Sequence, residues 1–418
     1  MSLPSSVDVA IIGAGAAGLG AARALENSGL SAIVLEARDR VGGRGHTILA
    51  APDILFDVGC GWLHSADQNS FVEIAARSNF EIDKGRPPWR EQSFDAVFPQ
   101  EERLDFINAL DAFYDRAHKA ANEAAKSGRD GAANICLQLG NRWNPMIDAI
   151  STYVNGCELD QVSILDMEAY EDTGINWRAR HGYGALMTAY GEGLPVALNT
   201  QVTRIDHSGK RVRLETSQGT LSAAKVIVTV PTNLIADESI RFHPALPAKV
   251  DAARGLPLGL ADKVVLALSE PEALPKDGNL RGATMRTATG AFHLRPFGQA
   301  CIEGFFGGRF AQELEDAGEG AMAAQAIDEI SALLGSDFRR KLKPLAQSRW
   351  AHDPFARGSY SHALPGHAPA RAVLAAPVDN KLFFAGEATS TSFFTTAHGA
   401  RDSGERAAEQ VIRTKQTA

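Results

Sequence analysis

Residues 7–36 constrain this chain more than any other stretch. Val7-Asp-Val-Ala-Ile-Ile12 is a short apolar run of the kind buried in parallel sheets. It ends in Gly13-Ala-Gly15-Ala-Ala-Gly18. Leu19, Ala22 and Leu25 then recur at helical spacing until Asn27-Ser28-Gly29 stops the pattern. A second run, Ser31–Leu35, ends in Glu36. Strand, G-x-G-x-x-G, helix, strand and acid, in that order, predict a dinucleotide-binding unit. Gly13 allows the tight turn, Gly15 lets the backbone approach a pyrophosphate, and Gly18 lets helix and strand pack closely. The helix N-terminus offers free N–H groups and a partial positive charge to the phosphates. Glu36 would accept hydrogen bonds from a ribose diol.

That unit alone does not choose between NAD and FAD, but two further segments do. Ala37-Arg38-Asp39-Arg40-Val41-Gly42-Gly43-Arg44 brings a second glycine pair with arginines, suited to a longer diphosphate crossed a second time. Near the other end, an apolar strand from Lys381 stops at Gly386-Glu387. A turn follows, then a helix predicted over Thr396–Arg413, with Ala397, Ala400, Ala407, Val411 and Ile412 at the helical period. The N-terminus of that helix would face the edge of a flavin that becomes negative on reduction, and would stabilise the reduced form. A nicotinamide enzyme has no need for both segments.

At this point the chain resembles the flavin-dependent amine oxidases, the family of monoamine oxidases, polyamine oxidases and histone lysine demethylases. The matching stretches are V-A-I-I-G-A-G-A-A-G-L, L-E-A-R-D-R-V-G-G-R, F-D-V-G-C-G-W-L-H, G-S-Y-S-H and F-A-G-E-A-T-S-T, followed by H-G-A and S-G-E-R-A-A. They run from the first strand to the last helix. The resemblance implies an α/β fold with an α+β substrate domain. A Rossmann-type FAD-binding domain would be interleaved with a mixed-sheet plus helical substrate domain, the two-domain architecture of amine oxidases and p-hydroxybenzoate hydroxylase. Residues 1–80, 182–255 and 350–418 are expected to hold FAD, and 81–181 and 256–349 to hold substrate. By the same resemblance Gly61, Trp62, Val202, Trp350, Thr396 and Ala397 join Gly13, Gly15, Gly18, Glu36, Ala37, Arg38, Gly43, Arg44, Gly386 and Glu387 around the cofactor.

The chemistry expected is removal of a hydride equivalent from the carbon beside an uncharged amine nitrogen. The ring is the electron sink, and the protein positions substrate. Oxygen would then return the flavin to its oxidised state, releasing hydrogen peroxide. Lys263 opens Lys-Val-Val-Leu-Ala-Leu. Taken alone it reads more readily as a strand-end residue snorkelling to solvent. The family holds a lysine there that assists reoxidation, and that role is the expectation. Tyr360 matches one aromatic wall before the flavin. The second wall is usually a Gly-Tyr pair, and here that pair is Thr395-Thr396, so either Phe393 or Phe394 fills the space or the cage is half open. Trp62-Leu-His64 has the Trp-x-His pattern of polyamine oxidases, which places His64 along the substrate channel. A cysteine precedes the cage tyrosine in members with covalent flavin. Ser359 stands there, so FAD is expected to be non-covalent.

Elsewhere the pattern predicts a loop over 84–100, and helices over Glu101–Lys126, Asn144–Tyr153, Ser163–Tyr170 and Gly320–Leu334. It predicts a hairpin about His207–Lys210 and strands at Val226–Val230, Lys263–Leu268, Gly282–Thr287 and Ala300–Phe306. Composition narrows the partners. The formal net charge of −8 argues against nucleic acid, which needs a basic face. Cys60, Cys136, Cys157 and Cys301 form no C-x-x-C pair and read as reduced thiols. No Cys/His cluster has metal spacing. The start lacks a signal-peptide pattern, and the longest apolar run, Val9–Ala22, is too short and too rich in glycine to span a membrane. A cytoplasmic monomer or homodimer acting on a small amine, with oxygen as co-substrate, is the expectation. A same-fold oxidoreductase acting on an amino acid or a C–C bond, and a non-catalytic flavin-binding interaction protein, remain open alternatives.

Overall fold

The computed structural model describes residues 3–90 and 98–416. Residues 91–97 of the predicted 84–100 loop lie outside them, and Pro88–Arg90 form a single helical turn.

The first unit forms as read: strand Ser6–Ile12, helix Ala16–Leu25, strand Ala32–Leu35. The first strand is parallel to both neighbours, with Ile12 opposite Leu35 on one side and Val228 on the other. Val9 and Ile11 pack into one core with the helices, while Ala10 and Ile12 pack into a second core on the opposite face. Burial on both faces is why this run is continuously apolar rather than alternating. The sheet runs Arg241–His243, Val202–Asp206, Val212–Thr216, Gly219–Val228, Ser6–Ile12, Ala32–Leu35, Val196–Ala197. Leu382–Phe384 also pairs, in parallel, with Val226–Val228. Val202–Asp206 and Val212–Thr216 form the predicted hairpin.

The closing helix, Ala397–Gln416, lies on the first helix. Backbones touch there. A Cβ on Gly404 would stand 1.9 Å from the Ala17 carbonyl oxygen, so only glycine permits this approach.

A second sheet runs Gly278–Arg281, Ala291–Leu294, Cys301–Gly307, Ala261–Leu268, Leu342–Gln347, every pair antiparallel. Along Ala261–Leu268 the period of two sorts the side chains. Val264, Leu266 and Leu268 pack under helices Gly308–Asp316 and Ala321–Leu334. Val265 faces Ile54 and Phe56 instead. Helix Gln100–Ser127 buries Phe106, Phe113, Ala117 and Ala121 against Trp143, Met146 and Ile147.

The strand expected at Gly282–Thr287 does not form. The pairing stops at Arg281. Buried Glu329 takes hydrogen bonds from Thr289 Oγ1 (3.0 Å) and Gly290 N–H (2.9 Å), and this draws residues 282–289 into a loop. The strand expected to reach Val230 ends at Val228.

Candidate active site

Backbone geometry sets one end of the site. Gly13 turns with φ +101°, and a Cβ on Gly18 would sit 1.8 Å from the Gly13 oxygen. Gly15 is different: a Cβ there would meet nothing nearer than Gly43 Cα at 3.9 Å, so this side of the turn is open. The Gly42 N–H donates to the Ala14 carbonyl (2.8 Å) and joins the two glycine-rich loops. Glu36 is buried. Its Oε2 accepts from the Ala14 N–H (2.7 Å) and its Oε1 from the Arg38 N–H (2.8 Å). Each oxygen keeps acceptor capacity beyond these bonds. Arg38 pairs with Asp353 (2.5 Å) and lies over the Phe355 ring.

One cavity runs from this end to the closing helix. It is lined by Gly13, Gly15, Glu36, Ala37, Arg38, Gly43, Arg44, Val202, Tyr360, Gly386, Glu387, Thr396 and Ala397 among the predicted residues. Thr200, Met187, Cys60, Pro231 and Phe355 line it too, and sequence patterns had not singled them out for it; Thr395, at the expected second wall, also lines it. A bare glycine wall, a buried carboxylate with spare acceptor capacity at one end and a helix N-terminus at the other fit a flavin dinucleotide. Gly18, Gly61, Trp62 and Trp350 do not line this cavity. Gly18 packs inside the helix turn. Trp350 stands behind, its indole donating to the Val58 carbonyl (3.3 Å).

At the far end buried charge does the work. Glu387 accepts from Arg44 Nη1 (3.1 Å), the Ser361 hydroxyl (2.6 Å) and the Ser361 and Thr395 N–H groups (3.2 and 3.1 Å). Burial opposes its ionisation, but Arg44, Ser361, Arg371 and the Thr395 N–H outweigh burial and hold its pKa below the usual carboxylate value. Arg371, itself buried, forms a two-point pair with Asp166 (2.6 and 2.8 Å). Thr395 is left-handed (φ +64°), an uncommon conformation for a β-branched residue. Thr396 Oγ1 accepts from the Gly399 N–H (3.0 Å) and so caps the closing helix.

The predicted substrate residues are dispersed around this end. Lys263 Nζ donates to the Asp57 carbonyl (3.0 Å) and would lie 3.2 Å from a Cβ on Gly61. The Tyr360 hydroxyl donates to the Tyr153 carbonyl, and burial pushes its pKa up, keeping it a neutral phenol. Trp62 packs edge-on to Trp89 (4.4 Å) under the Arg178 guanidinium. His64 Nδ1 meets Asn176 Oδ1 at 2.6 Å. An amide oxygen only accepts, so Nδ1 carries the proton and Nε2 is left an acceptor. Burial lowers the His64 pKa and keeps the ring neutral. Asn69 ties this segment to the closing helix, donating to the His64 carbonyl (2.9 Å) and to His398 Nδ1 (3.1 Å). Phe393 packs on His398 (4.9 Å). Phe394 is buried between Arg371 (3.7 Å) and Tyr170 (5.3 Å), and neither phenylalanine lines the cavity.

The Ser359 hydroxyl is taken up by both backbone groups of Ala261 (2.8 and 2.9 Å). Cys60, the one cysteine lining the cavity, has its thiol pushed up to about 12 by burial, so it offers little thiolate.

A family model described as flavin-containing amine oxidoreductase matches residues 16–412. Polyamine oxidase 4 of Oryza sativa subsp. japonica is 30% identical, over 97% of this chain and 88% of its own. Among solved structures, putrescine oxidase bound to putrescine superposes with a TM-score of 0.81 at 20% identity, covering 99% of this chain and 100% of that one. Cyclohexylamine oxidase from Brevibacterium oxydans IH-35A gives 0.75 at 21% identity, covering 99% of this chain and 100% of that one.

Proposed function

The chain belongs to the flavin-containing amine oxidoreductases, and on that footing we propose that it oxidises a polyamine, or another primary or secondary amine, with O2 as acceptor and H2O2 as product. The cofactor is FAD, held without a covalent bond. When bound, FAD would supply the electron sink for the hydride equivalent that leaves the carbon beside an uncharged amine nitrogen.

The remaining work falls to side chains of this chain. Arg44, Gly15 and Gly43 hold the diphosphate, and Glu36 the ribose. The Tyr360 ring gives the amine an aromatic wall, worth ~0.5–2 kcal/mol for a cationic group. Neutral His64, with Nε2 an acceptor, takes an N–H from the substrate without adding positive charge beside it. Thr396 borders the same space, while Trp62, Phe393 and Phe394 shape it indirectly. Lys263 serves the oxygen half-reaction.

The strands of the eight-stranded sheet fall within 1–80, 182–255 and 350–418, and those of the five-stranded sheet within 256–349. This supports the division into cofactor and substrate domains, with 81–181 joining the latter. A cytoplasmic monomer or homodimer fits four free cysteines and the lack, among the described residues, of a helix long and apolar enough to cross a membrane.

The observation that carries the reading is the single cavity joining the glycine-rich turn to Tyr360 and the cap of the closing helix. Anaerobic stopped-flow mixing with putrescine, spermidine, spermine, acetylated polyamines and aryl monoamines tests it. Polyamines should bleach the flavin fastest. Bleaching by aryl monoamines alone would exclude polyamines as the substrate, and bleaching by none of these amines would overturn the amine reading.

A further inference from the structure

Behind the strand carrying Lys263 lie two carboxyl groups that the cofactor site does not account for. Asp262 and Glu315 are each 1% exposed. Asp262 shares a strand face with Val264 and Leu266, and helix Gly308–Asp316, which carries Glu315, covers that face. Asp262 Oδ1 accepts from the Ser348 hydroxyl (2.6 Å) and the Trp350 N–H (3.2 Å). The same Ser348 oxygen accepts the Lys263 N–H (2.8 Å). Glu315 takes the N–H groups of Ala351 (3.0 Å) and His352 (3.2 Å) and the His352 ring at Nδ1 (2.5 Å).

Donors therefore surround Glu315, and among the described residues none is hydrogen-bonded to Asp262 Oδ2. What remains to Asp262 is a hydrogen bond to Glu315, which two carboxylates cannot form without a proton between them. Burial, then that hydrogen bond and the charge of Glu315, drive Asp262 well above the carboxylate range. Glu315 is held below its usual value despite burial, by Asp262 and His352. Two further charged groups stand beside the pair: Asp316, 3.9 Å from His352 Nε2, and Arg349, which donates to the Glu315 carbonyl (3.2 Å). Lys263 points from the opposite face of the strand.

This pair anchors both sides of the cofactor wall. Lys263 Nζ and the Trp350 indole donate to the neighbouring carbonyls of Asp57 and Val58. Beyond Trp350, Asp353 pairs with Arg38, and Pro354–Arg357 line the cavity.

We infer that Asp262 is a positioning residue of the flavin site: as a carboxylic acid it donates to the Glu315 carboxylate, and the pair fixes Lys263 and the 348–357 loop against residues 57–61. The inference rests on the flavin reading of the cavity but not on which amine is oxidised. Above the pH at which the shared proton is lost, two negative charges stand in an apolar setting and the loop loosens.

The test is FAD affinity of the reconstituted protein by flavin fluorescence from neutral to alkaline pH, with infrared detection of the protonated-carboxyl C=O stretch. The wild type should show that band, and its affinity should fall by about tenfold per pH unit once the proton goes. Asp262→Asn donates to Glu315 through an amide N–H. It should lack the band and bind FAD with unchanged affinity at every pH. Asp262→Ala should bind FAD at least tenfold more weakly even at neutral pH. No band lost between wild type and Asp262→Asn, or the same alkaline decline in both, overturns the inference. Wild type that never takes up FAD overturns the flavin reading instead.

Discussion

The two ends of the cavity are built by different means. Under the first helix, Gly13, Gly15, Glu36 and Gly43 come from one short stretch, and most contacts are backbone to backbone or carboxylate to N–H. At the other end Arg44, Ser361, Arg371, Glu387 and Asp166 come from segments far apart and meet through buried charge. The first end depends on the absence of atoms and should fail when bulk is added. The second depends on the completeness of a network and should fail when a partner is removed.

The largest effect should come from Asp166→Ala, which strands the Arg371 guanidinium in the interior. We expect a loss of about 3–5 kcal/mol in denaturant unfolding, as for other broken buried pairs. A loss no larger than that of a surface pair would erase the contrast between the ends. Gly18→Ala should come next. Its methyl has no room beside the Gly13 oxygen, and overpacking of about 1–3 kcal/mol should appear mainly as weaker FAD binding in fluorescence titration. Unchanged affinity would mean that the turn is softer than its geometry. Lys263→Met should slow the reaction of reduced flavin with oxygen by about tenfold, equivalent to about 1.4 kcal/mol. If stopped flow finds both half-reactions unaltered, Lys263 has no part in the chemistry. The smallest effect should be Thr395→Gly, a gain of about 1 kcal/mol in thermal stability as left-handed strain is relieved. A loss instead would mean that the Thr395 contact with Tyr170 outweighs the strain.

The same contrast explains what could be read from the sequence. The dinucleotide turn, the closing helix and the amphipathic face of Gln100–Ser127 are local patterns, set by glycine sterics and by helical or strand period, and each stands where the pattern places it. Glu329 reaching Gly290 across more than thirty residues is not local, and it turns Gly282–Thr287 into a loop despite their strand-like composition. Phe393 and Phe394 look like cavity aromatics beside Thr395-Thr396, but Arg371 and His398 draw both rings into packing. Arg371 is not visible from the residues around them, and nothing local says that Phe393 would choose His398 over the cavity. Arg38 was legible as a cavity residue through its glycine-rich surroundings, whereas its partner Asp353 lies in a loop with no period to reveal it.

The contact between the first and last helices bears on how the protein is made. Gly404 against Ala17 leaves a seam that only a segment made long after the first helix can close. A ribosome adding roughly 5–20 residues per second reaches that segment tens of seconds after the nucleotide turn has emerged. Until then an apolar helix and a half-built sheet stand exposed in the cell. Production of active enzyme in vivo should accordingly be sensitive to chaperone supply, and premature termination should leave an insoluble remnant rather than a smaller working nucleotide binder.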